Sequence, residues 1–137
     1  MTPEEICQAL RGGARAFIIG NGGSHANAQH ICNDLLLSGY PAFTLDPATL
    51  TAFANDFGYD EVYRRWLSVV GSPGDVLIAL SGSGKSPNIV AAVNHARRLQ
   101  MLVHLETNYL QEHDMQASEE RQLLLGHNLM RLLRGKC

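Results

Sequence analysis

The sequence predicts an α/β fold, one domain over residues 1–137 in which a parallel sheet of about four strands lies between two layers of helices. Three observations carry this. Short apolar, β-rich runs alternate with longer segments of helical periodicity, in the order β-α-β-α-α-β-α-β-α after a short first helix. Glycine and serine cluster where runs of the first kind give way to the second. No repeat, low-complexity stretch or Pro/Gly/Ser-rich linker divides the chain. The charge balance, 11 Lys+Arg against 13 Asp+Glu with 45% apolar residues, suits one compact body and gives no basic footprint for nucleic acid or an anionic membrane.

Residues 3–11 form a short polar helix candidate. Ala14 to Gly20 (ARAFIIG), bounded by Gly12-Gly13 and by GNGG, reads as a buried parallel strand. From Ser24 to Leu37, Ala, Ile, Cys and Leu recur at three- and four-residue intervals, as in a helix buried on more than one side. A short strand around Ala42–Leu45, a helix from Pro47 or Ala48 to Ala54 and another from Tyr59 to Val70 follow. In the last of these Trp66, with Val62 and Val69-Val70, keeps helical spacing and belongs to the core or a subunit contact. Asp75–Leu80 (DVLIAL) is the cleanest strand, opened by Ser72-Pro73-Gly74. Pro87 suits a first helical turn, and Ile89–Leu99 carries that helix. Leu102–Leu105 is a further strand, and Gln116–Leu133 closes the chain as a helix with Gly135 just beyond.

In such sheets ligands sit outside the C-terminal strand ends, at the switch between neighbouring strands whose helices leave to opposite faces. Two loops lie at such ends: Gly20-Asn21-Gly22-Gly23-Ser24 and Ser81-Gly82-Ser83-Gly84-Lys85-Ser86. Glycines allow close backbone approach, the following helix adds partial positive charge, and the second loop adds three hydroxyls and a cation. Neither is a nucleotide fingerprint. The first lacks the third glycine of GxGxxG, and Ala79 stands five residues before Gly84 where a P-loop has glycine. A helix N-cap role accounts for Ser86 but leaves Ser81 and Ser83 unexplained. A hydroxyl-rich cradle of this kind suits a singly phosphorylated sugar better than a nucleotide.

Four side chains on two helices suggest chemistry. His30 and Asp34 share a helix face four residues apart, and Glu119 and His127 lie eight apart, just over two turns. Two imidazoles and two carboxylates are a zinc-type donor set. The same residues are also what a partly buried histidine, a polar helix face and an acidic first turn would leave in a sequence.

GNGGSHANAQH, NDFGYDEVY and GDVLIALSGSGKSPNIVAAV resemble the sugar isomerase (SIS) family, and within it the phosphoheptose isomerase group, over about Ala14 to Leu99. The resemblance implies a flavodoxin-like αβα sandwich that binds phosphorylated sugars, with Ser24, Ser81, Ser83 and Ser86 on the phosphate and Asn21, Asn55 and Asp56 lining the sugar site. Gly22, Gly23, Lys85 and Glu119 join the substrate-binding set. The family's second loop reads S-T-S-G-N-S; here Gly82 replaces Thr and Lys85 replaces Asn. Phosphoheptose isomerases carry a His and a Glu four apart on the first long helix and a Gln and a His eight apart on the last. His30 and His127 match, Asp34 stands for the catalytic glutamate and Glu119 for the glutamine. The resemblance thus implies one zinc held by His30, Asp34, Glu119 and His127, with Asp34 taking the C2 proton and His127 serving the neighbouring oxygen or carbon as an aldose and a ketose phosphate interconvert. It leaves a second class open, a non-catalytic phosphosugar-binding module that acts as a sensor or through protein partners in replication initiation, and a third, a shortened relic that folds only as an oligomer.

The remaining histidines are weaker signals: His25 lies beside the first loop, and His95, His104 and His113 have no partner spacing. Cys7, Cys32 and Cys137 are far apart and form no CxxC pair, and the N-terminus carries two glutamates where a secretory signal would carry lysines and a long apolar run. Both point to reduced thiols and a cytoplasmic setting. The expected sheet has four strands where the family has five, with order 2-1-3 kept and an outer strand missing. An uncovered edge calls for a homo-oligomer, a dimer or tetramer.

Overall fold

A computed structural model describes residues 1–107 and 114–135, so His113 and Cys137 lie outside the described residues. Helix α1 (Pro3–Arg11) leads into β1 (Ala16–Gly20), α2 (Gly23–Leu37), β2 (Ala42–Phe43) and α3 (Pro47–Phe57). A 3-10 turn, Tyr59–Glu61, then precedes α4 (Val62–Val70), β3 (Val76–Leu80), α5 (Pro87–Arg98), β4 (Leu102–Glu106) and α6 (Met115–Arg134). The four strands are parallel in the order β2-β1-β3-β4, with Gly20 opposite Leu80 at the C-terminal end of the central pair. The strand count and the 2-1-3 order are those expected.

The period of two along β1 and β3 sorts the core into two layers. Ala16, Ile18, Val76, Ile78 and Leu80 face Ile6, Leu10, Ile31, Leu35 and Leu129 of α1, α2 and α6. Phe17, Ile19, Leu77 and Ala79 face Tyr63, Trp66, Leu67, Ile89 and Val93 of α4 and α5. Trp66 stands edge-on to Phe17, with ring centroids 5.5 Å apart, and so belongs to the core. β1 and β3 are buried throughout, whereas Leu102, on the edge strand β4, is 42% exposed.

Several boundaries differ from the sequence expectation for local reasons. β1 begins at Ala16 and β3 at Val76 because Arg15 and Asp75 are engaged with each other. Asp75 accepts from the Arg15 backbone N–H at 3.0 Å, from Arg15 Nη2 at 2.7 Å and from the Ser72 N–H at 3.1 Å. The apolar stretch Ala42–Leu45 yields only two paired residues, although Thr44 still donates to the Ile18 carbonyl. α3 runs on to Phe57, stopped by Gly58 at φ 91°. The helix expected from Tyr59 is divided, its first three residues forming the 3-10 turn.

Candidate functional site

Both glycine/serine loops lie at the C-terminal ends of the two central strands, with α2 and α5 leaving to opposite faces. Loop 1 turns tightly after β1: a Cβ on Gly20 would meet the Ser24 backbone at 2.7 Å, and Gly22 caps α2 at φ 57°. Ser24 is buried, and its Oγ accepts from Gln122 Nε2 at 2.9 Å. Asn27 Nδ2 donates to Gln122 Oε1 at 2.9 Å, so a buried polar chain joins α6 to the start of α2. In loop 2 the Gly84 N–H donates to Ser81 Oγ at 3.0 Å and the Lys85 N–H to Ser83 Oγ at 3.1 Å, leaving Ser83 and Lys85 exposed. Ser86 occupies the N-cap of α5 without a side-chain capping bond. The threonine of the resembled family at position 82 would require side chains of α6 to shift, because a Cβ there would lie 2.9 Å from Met115 Sδ and Ser118 Oγ.

Tyr63 anchors loop 1 from below, its hydroxyl donating to the Gly20 carbonyl. Burial pushes this phenol up to about 12. His25 packs beside it, with Nδ1 3.4 Å from the Tyr63 hydroxyl, and burial lowers its pKa.

About two turns further along α2, His30, Asp34 and His127 converge. His30 Nε2 lies 3.4 Å from Asp34 Oδ2 and 3.4 Å from His127 Nε2, and His127 Nε2 lies 3.8 Å from Asp34 Oδ2. Asp34 Oδ2 is buried without a hydrogen-bond partner. These separations suit the edges of a tetrahedron with metal bonds of about 2.0–2.2 Å, which are roughly 3.3–3.6 Å long. A buried, unsatisfied carboxylate oxygen between two imidazoles is the donor chemistry of a divalent metal, and the three ligand atoms all lie within 4.8 Å of one another.

Glu119 is not part of this cluster. Contacts of Ser24 with Gln122, His30 with His127 and Ser38 with Arg134 show that α2 and α6 run parallel. Eight residues on α6 correspond to about 12 Å, so Glu119 lies level with Gly23, where a Cβ on that glycine would be 2.3 Å from Oε1. The expected fourth ligand therefore sits at the loop end of the helix pair. Asn55 and Asp56 are exposed and hydrogen-bond to each other at 3.1 Å, while the residue of this segment that reaches loop 1 is Tyr59.

Sequence reasoning missed Asn88 and Gln122, which touch the loops directly. The signal was a polar residue in a buried register: 88, 92 and 96 on α5, and 118, 122, 125, 129 and 133 on α6, all face inward.

A protein-family model described as the SIS domain matches residues 3–104. The chain belongs to the SIS domain family. This SIS domain is 46% identical over 100 residues to a phosphoheptose isomerase of Bradyrhizobium sp. (strain ORS 278), a match covering 67% of the chain and 50% of that relative. It is 29% identical to the phosphoheptose isomerase structure from Neisseria gonorrhoeae (TM-score 0.86, 96% of this chain and 82% of that one). The Francisella tularensis phosphoheptose isomerase gives 27% identity and a TM-score of 0.86, over 98% and 83%. The chain spans about half the length of the curated relatives it matches. Among the described residues no helix of this SIS domain is long and apolar enough to cross a membrane.

Proposed function

We propose that the chain is an aldose–ketose isomerase of the phosphoheptose isomerase type, acting on sedoheptulose 7-phosphate or a related sugar phosphate in the cytoplasm. The observation that carries this is the convergence of His30, Asp34 and His127 beyond a pair of glycine/serine loops in a SIS domain. Loop amides and the hydroxyls of Ser24, Ser81, Ser83 and Ser86, with Lys85, hold the phosphate; Asn55 and Asp56, exposed at the end of α3, and Glu119, beside Gly23 at the loop end of α6, are assigned to the substrate. The three donors suit zinc, which when bound would act as a Lewis acid toward the sugar's oxygens.

Isomerisation moves a proton between adjacent carbons through an enediol. Asp34 is assigned the proton that leaves C1 of the ketose and is delivered to C2 of the aldose, the same C2 proton that it removes in the reverse direction. His127 is assigned the proton of the neighbouring oxygen or carbon. Aspartate is one methylene shorter than the family's glutamate, a difference of about 1–1.5 Å that can cost ~10²-fold in rate if the substrate is not drawn closer.

The test is turnover of sedoheptulose 7-phosphate by the purified chain with and without added zinc, followed as aldose formation. Zinc-dependent turnover abolished in Asp34→Ala is expected. Absence of turnover in the wild type, or full activity of Asp34→Ala, discards the mechanism, and tight phosphosugar binding without turnover would assign the chain to the sensor class instead.

A further inference from the structure

A side-chain latch that the mechanism does not use joins loop 1 to the first turn of α5, directly after loop 2. Asn21 of loop 1 and Asn88 in the first turn of α5 exchange amide hydrogen bonds in both directions, 2.9 Å from Asn21 Nδ2 to Asn88 Oδ1 and 2.8 Å from Asn88 Nδ2 to Asn21 Oδ1. Tyr59 adds a third bond, its hydroxyl donating to Asn21 Oδ1 at 2.8 Å. Asn88 is 1% exposed, so water cannot replace a lost partner there. Both lone pairs of Asn21 Oδ1 and one of its two N–H groups are taken up by the latch.

The sheet does not need this latch. β1 and β3 are already paired in register up to Gly20 and Leu80, and the amide pair acts beyond that last rung, on loop atoms. Those atoms need fixing: loop 1 has glycine at 20, 22 and 23, loop 2 at 82 and 84, and Gly22 and Gly84 take positive φ. Such loops lose much conformational freedom when a ligand orders them, and ordering them beforehand lowers the cost of binding. An apolar pair could fill the same volume but would not set the rotation of Asn21.

We infer that Asn88 and Tyr59 are positioning residues for phosphosugar binding, holding loop 1 through Asn21 at a fixed register against loop 2 so that both loops address one phosphorylated ligand. The inference rests on the phosphosugar reading of the site. Its signature is a change in affinity without a matching change in the chemical step.

The experiment measures kcat and KM for sedoheptulose 7-phosphate, and the calorimetric Kd of the same compound, in wild type, Asn88→Ala and Tyr59→Phe, with thermal unfolding alongside. Loss of the buried pair is expected to raise KM and Kd about tenfold, and loss of the single hydroxyl about threefold, with kcat within about twofold of wild type. Tyr59→Phe deletes one hydroxyl from a half-exposed ring, so it separates the latch from folding should Asn88→Ala not fold. Wild-type binding that Tyr59→Phe leaves unchanged, or a fall in kcat at constant KM, overturns the inference alone. A wild type that binds no phosphosugar overturns the reading beneath it as well.

Discussion

Under the proposed function, Asp34 unites metal binding and proton transfer in one buried side chain. Its Oδ2 is buried without a hydrogen-bond partner, 3.4 and 3.8 Å from two imidazoles, so Asp34→Asn should lose bound zinc, measured by elemental analysis, together with at least ~10²-fold in kcat. Glu119→Gln should leave zinc stoichiometry unchanged, because its carboxylate lies against Gly23 rather than in the cluster; metal loss in that variant would restore the four-ligand set expected from sequence. The identity of His30, Asp34 and His127 as neighbours was legible from spacing and family likeness. The misplacement of Glu119 was not, since an eight-residue interval says that two side chains share a helix face but not which level of the partner helix each one meets. Tyr63 gives a pH test. Its phenol is raised from 10.0 to about 12 in the folded chain by burial, so the unfolded chain ionises first, and stability present below pH 10 is lost as pH climbs toward 12. Tyr63→Phe should flatten that alkaline limb in thermal melts.

At the level of elements, the helix pair α2 and α6 decides whether the donors meet. Gly126 lets the two approach, since a Cβ there would lie 2.6 Å from Ile31 Cγ1. Gly126→Val should therefore lower stability by about 1–3 kcal/mol and weaken zinc binding, read by calorimetry and metal titration; normal zinc affinity would show that the cluster tolerates a wider spacing. The order and type of the elements were readable because short continuous apolar runs give way to segments of helical period, with glycine loops marking the change after β1 and β3. Their ends were less readable. Arg15 and Asp75 stand at the strand entrances, their carbonyls accepting from the Val76 and Leu102 N–H groups while the Asp75 carboxylate takes the Arg15 N–H and guanidinium, and Ala42–Leu45 has strand composition but pairs for only two residues. Such choices depend on partners 60 residues away, which no local pattern encodes.

For the molecule as a whole, the sheet has a buried centre and an incomplete flank. Among the described residues β4 is an edge strand, with Leu102 exposed, and a cavity of about 470 Å³ opens beside it, lined by His104, Glu106, Leu124, Leu125 and Asn128 among others. Such an edge favours self-association. Sedimentation should find a homo-oligomer, and Leu102→Lys should shift it toward monomer with unchanged far-UV circular dichroism; a wild-type monomer at all concentrations would rule this out. The wide separation of the donors along the chain has another consequence. His30 and His127 are 97 residues apart, and a chain emerging from the ribosome displays both loops, His30 and Asp34 well before α6 exists. A product cut short ahead of that helix leaves one core layer open and lacks the third donor. Synthesis of α6 is then the event that brings the third donor to His30 and Asp34.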